Sequence, residues 1–245
     1  MKAALVTGAS SGIGAAVARR LAREGFTVLA AGRDAARTVS VARESPAIHA
    51  WLGDLSGSAA CARLVAHAIA QFGRLDLLVN NAGIYLPSRA EDTSDEDWER
   101  TLAVNLSTPF YLSRAALPHL RQQRGAIVNV ASNWGLHAGP SAVAYCASKG
   151  GLVLLTKALA VDHAAEGIRI NAVCPGDVAT PMLFRDAEAR GIDRDTVMRE
   201  SAATTRSGRV TTPEEVAALV AWLASDESTQ VNGTTILMDG GSAAG

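Results

Sequence analysis

The stretch TGASSGIG at positions 7–14 constrains the fold of this chain more than any other. It follows a short apolar run, residues 3–6, and opens an alanine-rich amphipathic segment that reaches Arg23, with Gly25 as its C-cap. A glycine-rich turn alone is often a plain loop, but between a strand and a helix it is typical of a phosphate site. Its glycines let the backbone approach a pyrophosphate, and the helix N-terminus offers unpaired N–H groups. We therefore expect a nucleotide to contact Gly8, Ser10, Ser11, Gly12, Ile13 and Gly14.

Apolar runs typical of buried strands recur along the chain and alternate with helical segments. The predicted strands are residues 3–6, 27–31, 48–52, 75–79, 126–130, 169–174 and 234–238. This alternation indicates βαβ units, so we expect one α/β domain over residues 1–245 with a parallel sheet. Ligands of such sheets bind at the carboxyl ends of the strands. The predicted strand ends carry Gly8, Arg33, Asp54, Asn81 and Ser132.

The end of the second predicted strand bears on the choice of dinucleotide. An acidic residue about 20 positions beyond the glycine turn accepts hydrogen bonds from a ribose 2'-hydroxyl, whereas an arginine accommodates a 2'-phosphate. Gly32 stands where the acid is expected and Arg33 follows it, which favours NADP(H). NAD(H) stays possible, because the glycine turn carries no Lys or Arg and Asp34 could bind the ribose. Arg33 could also be a solvated loop charge.

A hydroxyl, a phenol and an ammonium fall within residues 132–149. Tyr145 and Lys149 are four positions apart in a predicted helix, so they share a face, and Ser132 lies just beyond a strand. An ammonium about 4 Å from a phenol, at an effective dielectric constant of about 20, contributes about 4 kcal/mol and would lower the phenol pKa by about three units. We therefore expect Tyr145 to exchange protons near neutral pH; the alternative is a chance surface pair.

The middle of the chain predicts a long helix with an unusual interior. Ser94 with Asp97 forms a capping pattern, and the helix is expected to reach about Leu120. It contains Asn105, and Pro109 predicts a kink because proline removes a backbone donor. A mid-helix asparagine usually faces solvent or a neighbouring carbonyl.

Two later segments bear on assembly and access. The predicted helix at residues 142–164 is apolar on nearly all sides, which indicates packing against a second subunit as well as the sheet. Residues 181–211 are rich in charge and poor in large apolar groups. This favours a mobile substrate lid, with a plain pair of surface helices as the alternative.

Composition limits the classes of function. The 245 residues are 48% hydrophobic, enough for one large core, and the formal charge of -1 argues against a nucleic-acid or acidic-membrane binder. No apolar run approaches 18 residues and no charged leader precedes the first strand, so we expect no signal peptide and no membrane span. Cys61, Cys146 and Cys174 have no metal spacing. We expect buried thiols, no metal site and a reducing cytoplasm.

Five separated patterns together resemble the short-chain dehydrogenase/reductase family. They are TGASSGIG from Thr7, NNAG from Asn80, Asn105, Ser132 followed by YxxxK at Tyr145, and PG at Pro175. The resemblance is to the branch with chains of about 250 residues. It implies a single Rossmann-like, doubly wound, seven-stranded parallel sheet with helices on both faces, an NAD(P)(H) cofactor and commonly a homotetramer. The closing segments are most similar to 3-oxoacyl-thioester reductases.

The resemblance implies roles for the matching residues. Tyr145 would be the general acid/base and Ser132 would hold the substrate oxygen, while Lys149 would bind the nicotinamide ribose and lower the Tyr145 pKa. Asn105 would place a water in a proton relay to Lys149. Asp54 would contact the adenine, or could instead cap a helix. The other implied cofactor contacts are Leu55, Asn81, Ala82, Gly83, Pro175, Gly176 and, at the nicotinamide carboxamide, Val178 and Thr180.

The substrate is less constrained than the chemistry. Trp134, His137 and Leu183 are expected to face the pocket, and Asp177 has no role that the family fixes. The predicted function is NADP(H)-dependent hydride transfer between nicotinamide and a carbonyl or secondary alcohol carbon of a small molecule. Alternatives are an NAD-dependent alcohol, diol or sugar dehydrogenase, a catalytically silent dinucleotide-binding subunit, and an epimerase or dehydratase that uses the cofactor transiently.

Overall fold

The computed structural model of the protein describes residues 1–189 and 191–244. Its strands are β1 (Ala3–Thr7), β2 (Thr27–Gly32), β3 (Ile48–Leu52), β4 (Leu77–Asn80), β5 (Ala126–Val130), β6 (Arg169–Pro175) and β7 (Thr235–Met238). Its helices are α1 (Gly12–Arg23), α2 (Ala35–Arg43), α3 (Gly57–Phe72), α4 (Asp95–Leu102), α5 (Thr108–Gln123), α6 (Val143–His163), α7 (Pro181–Ala189), α8 (Arg194–Ala203) and α9 (Pro213–Ala224).

The seven strands form one parallel sheet in the order β3-β2-β1-β4-β5-β6-β7. The chain moves outward from β1 to β3, then returns to place β4 on the other side of β1. This reversal opens a crevice at the carboxyl ends of β1 and β4, where ligands of doubly wound sheets bind. The predicted seven-stranded, doubly wound fold is confirmed.

Successive residues of each strand point to opposite faces, and each face is covered by helices. On one face Ala4 and Val6 pack with residues of α1 and α9, while Leu5 packs on the other face with residues of α3, α5 and α6. Leu5 is fully buried, and cutting such a side chain back to alanine typically costs about 2–5 kcal/mol. Burial on both faces explains why the five central strands, β1, β2, β4, β5 and β6, are nearly continuous apolar runs.

The predicted long helix is wrong in its middle. A π-helical turn, Ala103–Ser107, separates α4 from α5, and the Thr108 N–H donates to the Ala103 carbonyl five residues earlier. The Thr108 hydroxyl also donates to that carbonyl at 3.0 Å. Pro109 lies in the first turn of α5, where its missing N–H costs nothing. The wide turn, and not the proline, interrupts the helix.

Helix α6 is the longest of the described helices and packs on β6 and against α4. By length and composition alone the segment Val143–Glu166 could cross a membrane. It also carries the fully buried Ser148 and Thr156, as a core helix of an α/β fold can. Residues 181–211 contain the paired helices α7 and α8, and their role as a lid stays a prediction.

Candidate active site

A cavity of about 1200 Å³ opens where the carboxyl ends of the strands meet. The predicted catalytic and cofactor residues line it, with the exceptions of Gly14 and Asn105. Of the residues predicted to face substrate, Ser132, Trp134 and Leu183 line the cavity. His137 is exposed and does not line it; its Nδ1 lies 3.4 Å from the neighbouring Ala138 carbonyl oxygen. The structure therefore does not support the predicted place of His137 in the pocket.

The glycine turn is pressed against the loop that follows β4. Gly8 has φ +65°, and a Cβ there would lie 2.9 Å from the Cα of Ala82, so a larger residue does not fit. The Asn81 amide donates to the Thr7 carbonyl at 2.8 Å and ties the two segments together. Gly14 is buried, and a Cβ there would overlap the Gly8 carbonyl. The absence of a side chain at Gly14 lets α1 pack closely against the backbone of Gly8. This packing explains why Gly14 does not line the cavity.

The N-terminus of α1 is suited to an anion. Its N-cap residue, Ser11, makes no side-chain capping bond, and the first turn contains no acidic residue. The first N–H groups of the helix therefore have no side-chain acceptor at the N-cap and face a cavity lined by Gly12 and Ile13. These features fit the pyrophosphate of a dinucleotide.

Two arginines and one carboxylate follow the end of β2, and their side chains have different partners. Asp34 is the N-cap of α2: it accepts from the Arg37 backbone at 2.9 Å and from Arg37 Nε at 2.6 Å. These hydrogen bonds hold the Asp34 pKa below its usual value. A Cβ on Gly32 would overlap the Thr38 hydroxyl, so no acid fits there without rearrangement. Arg33 and Arg37 line the cavity, and Arg37 was not anticipated from the sequence.

Asp54 lines the cavity beyond β3. Its Oδ1 accepts from the Leu55 N–H at 2.9 Å, and its Oδ2 accepts from the Ser56 hydroxyl. The N-cap of α3 is Ser56, not Asp54. The carboxylate instead stabilises the turn that leads into the helix.

Ser132, Tyr145 and Lys149 meet at the inner end of the cavity. The Ser132 Oγ accepts from the Trp134 N–H at 3.1 Å and donates to Asn133 Oδ1 at 3.2 Å. Lys149 Nζ donates to the Val130 carbonyl at 2.8 Å and lies 5.7 Å from the centroid of the Tyr145 ring. A strand end and one helix thus bring the three groups together.

The predicted pKa of Tyr145 is wrong for this structure. Removal from water raises the pKa of the phenol to about 12, against a weaker opposing effect of its hydrogen bond with Ser132. Burial also lowers the pKa of Lys149 to about 8. The expected downward shift assumed an ammonium about 4 Å away at an effective dielectric constant of about 20 and left out the burial of the two groups. Here desolvation of both groups dominates.

Asn105 lies in the π-helical turn and is fully buried. Its Oδ1 accepts from the Ile84 N–H at 2.9 Å, and its Nδ2 donates to the Ile84 carbonyl at 2.9 Å and to Ser148 Oγ at 3.1 Å. The Ser148 hydroxyl donates in turn to the Tyr145 carbonyl at 2.8 Å. Asn105 therefore links the loop after β4 to the helix that carries Tyr145 and Lys149.

The sequence did not identify Tyr85, which also lines the cavity. Its ring centroid is 5.2 Å from that of Tyr145 and 5.9 Å from that of Trp134, both in edge-to-face geometry. Tyr85 lies in a loop without periodicity, two residues beyond NNAG. That proximity to a nucleotide motif is the one signal that could have drawn attention to it.

Comparison with known proteins decides the family. Residues 8–243 match the family model described as enoyl-(acyl carrier protein) reductase. The meso-2,3-butanediol dehydrogenase of Serratia marcescens is 39% identical over 99% of this chain and 95% of its own length. The chain belongs to the short-chain dehydrogenase/reductase family. Such dehydrogenases use a nicotinamide cofactor and act on CH–OH groups.

Other relatives of this short-chain dehydrogenase/reductase have varied names. The D-beta-hydroxybutyrate dehydrogenase of Rhizobium meliloti is 37% identical over 98% of both chains. The ligand-free structure of Thermoplasma acidophilum aldohexose dehydrogenase superposes with a TM-score of 0.92 at 33% identity, covering 100% of this chain and 94% of that one. These names do not single out the 3-oxoacyl-thioester reductase subtype, which stays a prediction.

Proposed function

We propose that this protein is an NADP(H)-dependent oxidoreductase that transfers a hydride between nicotinamide and a carbonyl or secondary alcohol carbon, with Tyr145 as the general acid/base. The observation that carries the proposal is the single cavity that joins the glycine turn to Ser132, Tyr145 and Lys149. A nucleotide held at the turn and a substrate held at the phenol would share one space.

When bound, the nicotinamide supplies or accepts the hydride. The residues of the chain manage the substrate oxygen and its proton. Ser132 would hold that oxygen, and the Tyr145 phenol, still protonated at neutral pH with a pKa of about 12, would donate to it during reduction. In the oxidative direction the phenol must first lose its proton, and the Lys149 ammonium would stabilise the phenolate.

Substitution of Tyr145 by Phe tests the assigned proton transfer. Turnover should fall about 10²–10⁴-fold, because the acid/base is lost while the ring keeps its packing. NADPH binding, followed by nicotinamide fluorescence, should persist. Tyr111→Phe, which removes a phenol from α5, is the matched control and should retain turnover. Near-normal turnover of Tyr145→Phe would refute the role.

NADP(H) is favoured over NAD(H) by the charges at the end of β2. Arg33 and Arg37 line the cavity there, and the Asp34 carboxylate accepts two hydrogen bonds from Arg37. A 2'-phosphate would find the Arg33 guanidinium and the free N–H groups of Arg37, whereas a 2'-hydroxyl would have to share Asp34 with Arg37. NAD(H) is the alternative.

Substitution of Arg33 by Ala tests the cofactor choice. The Kd for NADPH should rise about tenfold or more while the Kd for NADH changes little, because only NADPH carries the 2'-phosphate. Parallel titrations of wild type and variant with both nucleotides provide the measurement. Equal losses for the two nucleotides would mean that Arg33 does not contact a 2'-phosphate.

A panel of ketones, β-ketoacyl thioesters and secondary alcohols would then test turnover. Binding of a nucleotide with turnover of any member supports the oxidoreductase over a silent binding subunit.

We further propose that the protein acts as a single-domain chain in the cytoplasm, with α7 and α8 as a substrate lid. It would assemble as a homotetramer, because the apolar Leu154 and Val161 of α6 are 67% and 80% exposed.

A further inference from the structure

The wall of the cavity beside the reacting phenol is aromatic. The rings of Tyr85, Trp134 and Tyr145 meet pairwise edge to face, with centroids 5.2, 5.9 and 6.2 Å apart. Tyr85 and Trp134 are half-buried, so part of each ring stays open to a ligand. A Cβ on Gly139 would overlap the Trp134 ring, so the loop supports that ring from behind. The wall is therefore a rigid apolar surface of two rings.

Two polar side chains lie beside this wall. Asn133 and Asp177 both line the cavity, and Asn133 Nδ2 would lie 3.4 Å from a Cβ on Gly176, the residue before Asp177. Asn133 uses its Oδ1 to accept from Ser132. Among the side chains that the structure describes, no hydrogen bond or ion pair engages the Asp177 carboxylate or Asn133 Nδ2. One acceptor and one donor are thus available next to the hydroxyl that would hold the reacting oxygen.

We infer that this site takes a cyclic polyol, such as a monosaccharide in its pyranose form, with its C–H face on Tyr85 and Trp134 and its neighbouring hydroxyls on Asp177 and Asn133. The inference rests on the proposed function and names its substrate class. A sugar ring presents apolar C–H groups on its faces and hydroxyls around its edge. Those two kinds of surface match the aromatic wall and the polar pair.

Other alcohol classes match the site less well. A large apolar alcohol would cover Asp177 and leave a desolvated, unpaired carboxylate. A hydroxy acid would bring its own carboxylate toward the Asp177 carboxylate, and the two negative charges would repel each other. The guanidinium of Arg185 in α7, which is exposed and also lines the cavity, would offset only part of that repulsion. A small acyclic alcohol would leave the two rings uncovered. A site built to pair hydroxyls discriminates strongly against analogues that lack them, because its polar groups are then left unpaired.

The reaction balances without a further reagent. A ring carbinol carbon loses its C–H bond, and the electron pair leaves as a hydride that the oxidised nicotinamide accepts. The O–H bond of the same carbinol breaks, and the proton goes to the Tyr145 phenolate. The product is a ring carbonyl, which is a lactone when the anomeric carbon reacts, together with the reduced nucleotide.

The test is turnover of the whole protein on a panel matched for shape. The probes are D-glucose, D-galactose, D-mannose and myo-inositol, with cyclohexanol, 2-butanol, 2,3-butanediol, 3-hydroxybutyrate and a 3-hydroxysteroid as comparisons, each with NADP⁺ and NAD⁺. At least one polyol ring should show a kcat/KM about tenfold or more above every comparison alcohol. A higher value for any comparison alcohol would overturn the inference and leave the proposed function standing. No turnover on any member would overturn both.

Two variants separate recognition from chemistry. Asp177→Ala should lower kcat/KM for the preferred polyol about 10- to 100-fold, mainly through KM, and leave cyclohexanol and 2-butanol within about threefold. Trp134→Leu should lower kcat/KM for both six-membered rings and spare 2-butanol. Asp226→Ala, a surface carboxylate paired with Lys2, is the control and should change none of them. Equal losses on all substrates in Asp177→Ala would contradict the assigned contact.

Discussion

Lys149 is a candidate catalytic residue whose buried charge costs stability. It is 4% exposed, and burial lowers its pKa from 10.5 to about 8. Below pH 8 the folded protein must hold a buried ammonium, which costs about 3 kcal/mol by its pKa shift and is offset by about 1 kcal/mol from the hydrogen bond to Val130. A polar group with such a cost is expected at a site that uses its charge.

Substitution of Lys149 by Met should therefore abolish turnover and stabilise the fold. At pH 7 the free energy of unfolding should rise by about 2 kcal/mol, measured by urea denaturation. Between pH 8 and 10.5 the unfolded wild-type chain binds a proton that the folded state does not, so wild-type stability rises with pH and the difference shrinks. Lys2→Met, which removes a half-exposed ammonium paired with Asp226 at the surface, is the control. A destabilised Met variant at pH 7 would contradict this account.

The sequence predicted the positions of individual site residues where a short motif contains them. Ser132, Tyr145 and Lys149 meet as expected because a strand end and an i, i+4 spacing fix their positions. The pKa of Tyr145 could not be derived in advance, since its largest cause is the burial of the side chain, which depends on tertiary packing. His137 is exposed and does not line the cavity, because it lies in a loop, where spacing does not fix the direction of a side chain.

At the scale of elements, the start of α9 has the most complete cap. Thr212 Oγ1 accepts from the Glu215 N–H at 3.3 Å, and the Glu215 carboxylate accepts from the Thr212 N–H at 2.8 Å. This capping box was visible in the sequence as Thr-Pro-Glu-Glu. Because α9 covers one face of the sheet beside α1, its first turn stabilises the fold of the nucleotide side.

Substitution of Thr212 by Ala should lower the free energy of unfolding by about 1 kcal/mol, since one backbone donor loses its acceptor. Ser11→Ala is the matched control, because Ser11 is the N-cap of α1 but makes no side-chain capping bond. Its loss should stay within about 0.5 kcal/mol. Chemical denaturation of both variants gives the comparison, and equal losses would mean that the box contributes nothing.

The strands and helices could be predicted from hydrophobic periodicity, but the interruption of a helix could not. All seven strands were predicted within about two residues, because each is a mainly apolar run, buried in the five central strands and half-buried in β3 and β7. The π-helical turn at residues 103–107 has no such signature: its sequence, AVNLS, is compatible with an ordinary helix. Its wide turn accompanies the hydrogen bonds between Asn105 and Ile84, which are tertiary contacts.

At the scale of the whole molecule, α6 presents one apolar side outside the sheet. Leu154 and Val161 are exposed there, seven residues apart and thus on the same face of the helix. Exposed apolar side chains that share a face favour association with a second copy. Light scattering of the wild-type protein should therefore report an oligomer, with a tetramer as the proposed state.

Substitution of Val161 by Asp should dissociate that oligomer, because a charge buried in an apolar interface has no partner. The mass measured by light scattering should fall by at least half at micromolar concentration. Leu52→Asp changes an exposed leucine at the end of β3, away from this face, and should leave the mass unchanged. A wild-type monomer would contradict the proposed assembly.

The π-helical turn makes the number of residues between α4 and α5 critical. Removal of one residue from 103–107 would replace the wide turn by an ordinary α-helical turn, so the residues of the turn would lose their present positions while α4 and α5 kept nearly the same relation to each other. Asn105 would then leave Ile84, although every residue type in the site would still be present. Two relatives could thus share every motif and differ in activity by a single alignment gap at this position. The number of residues in this turn therefore matters to the active site as much as the identity of its side chains.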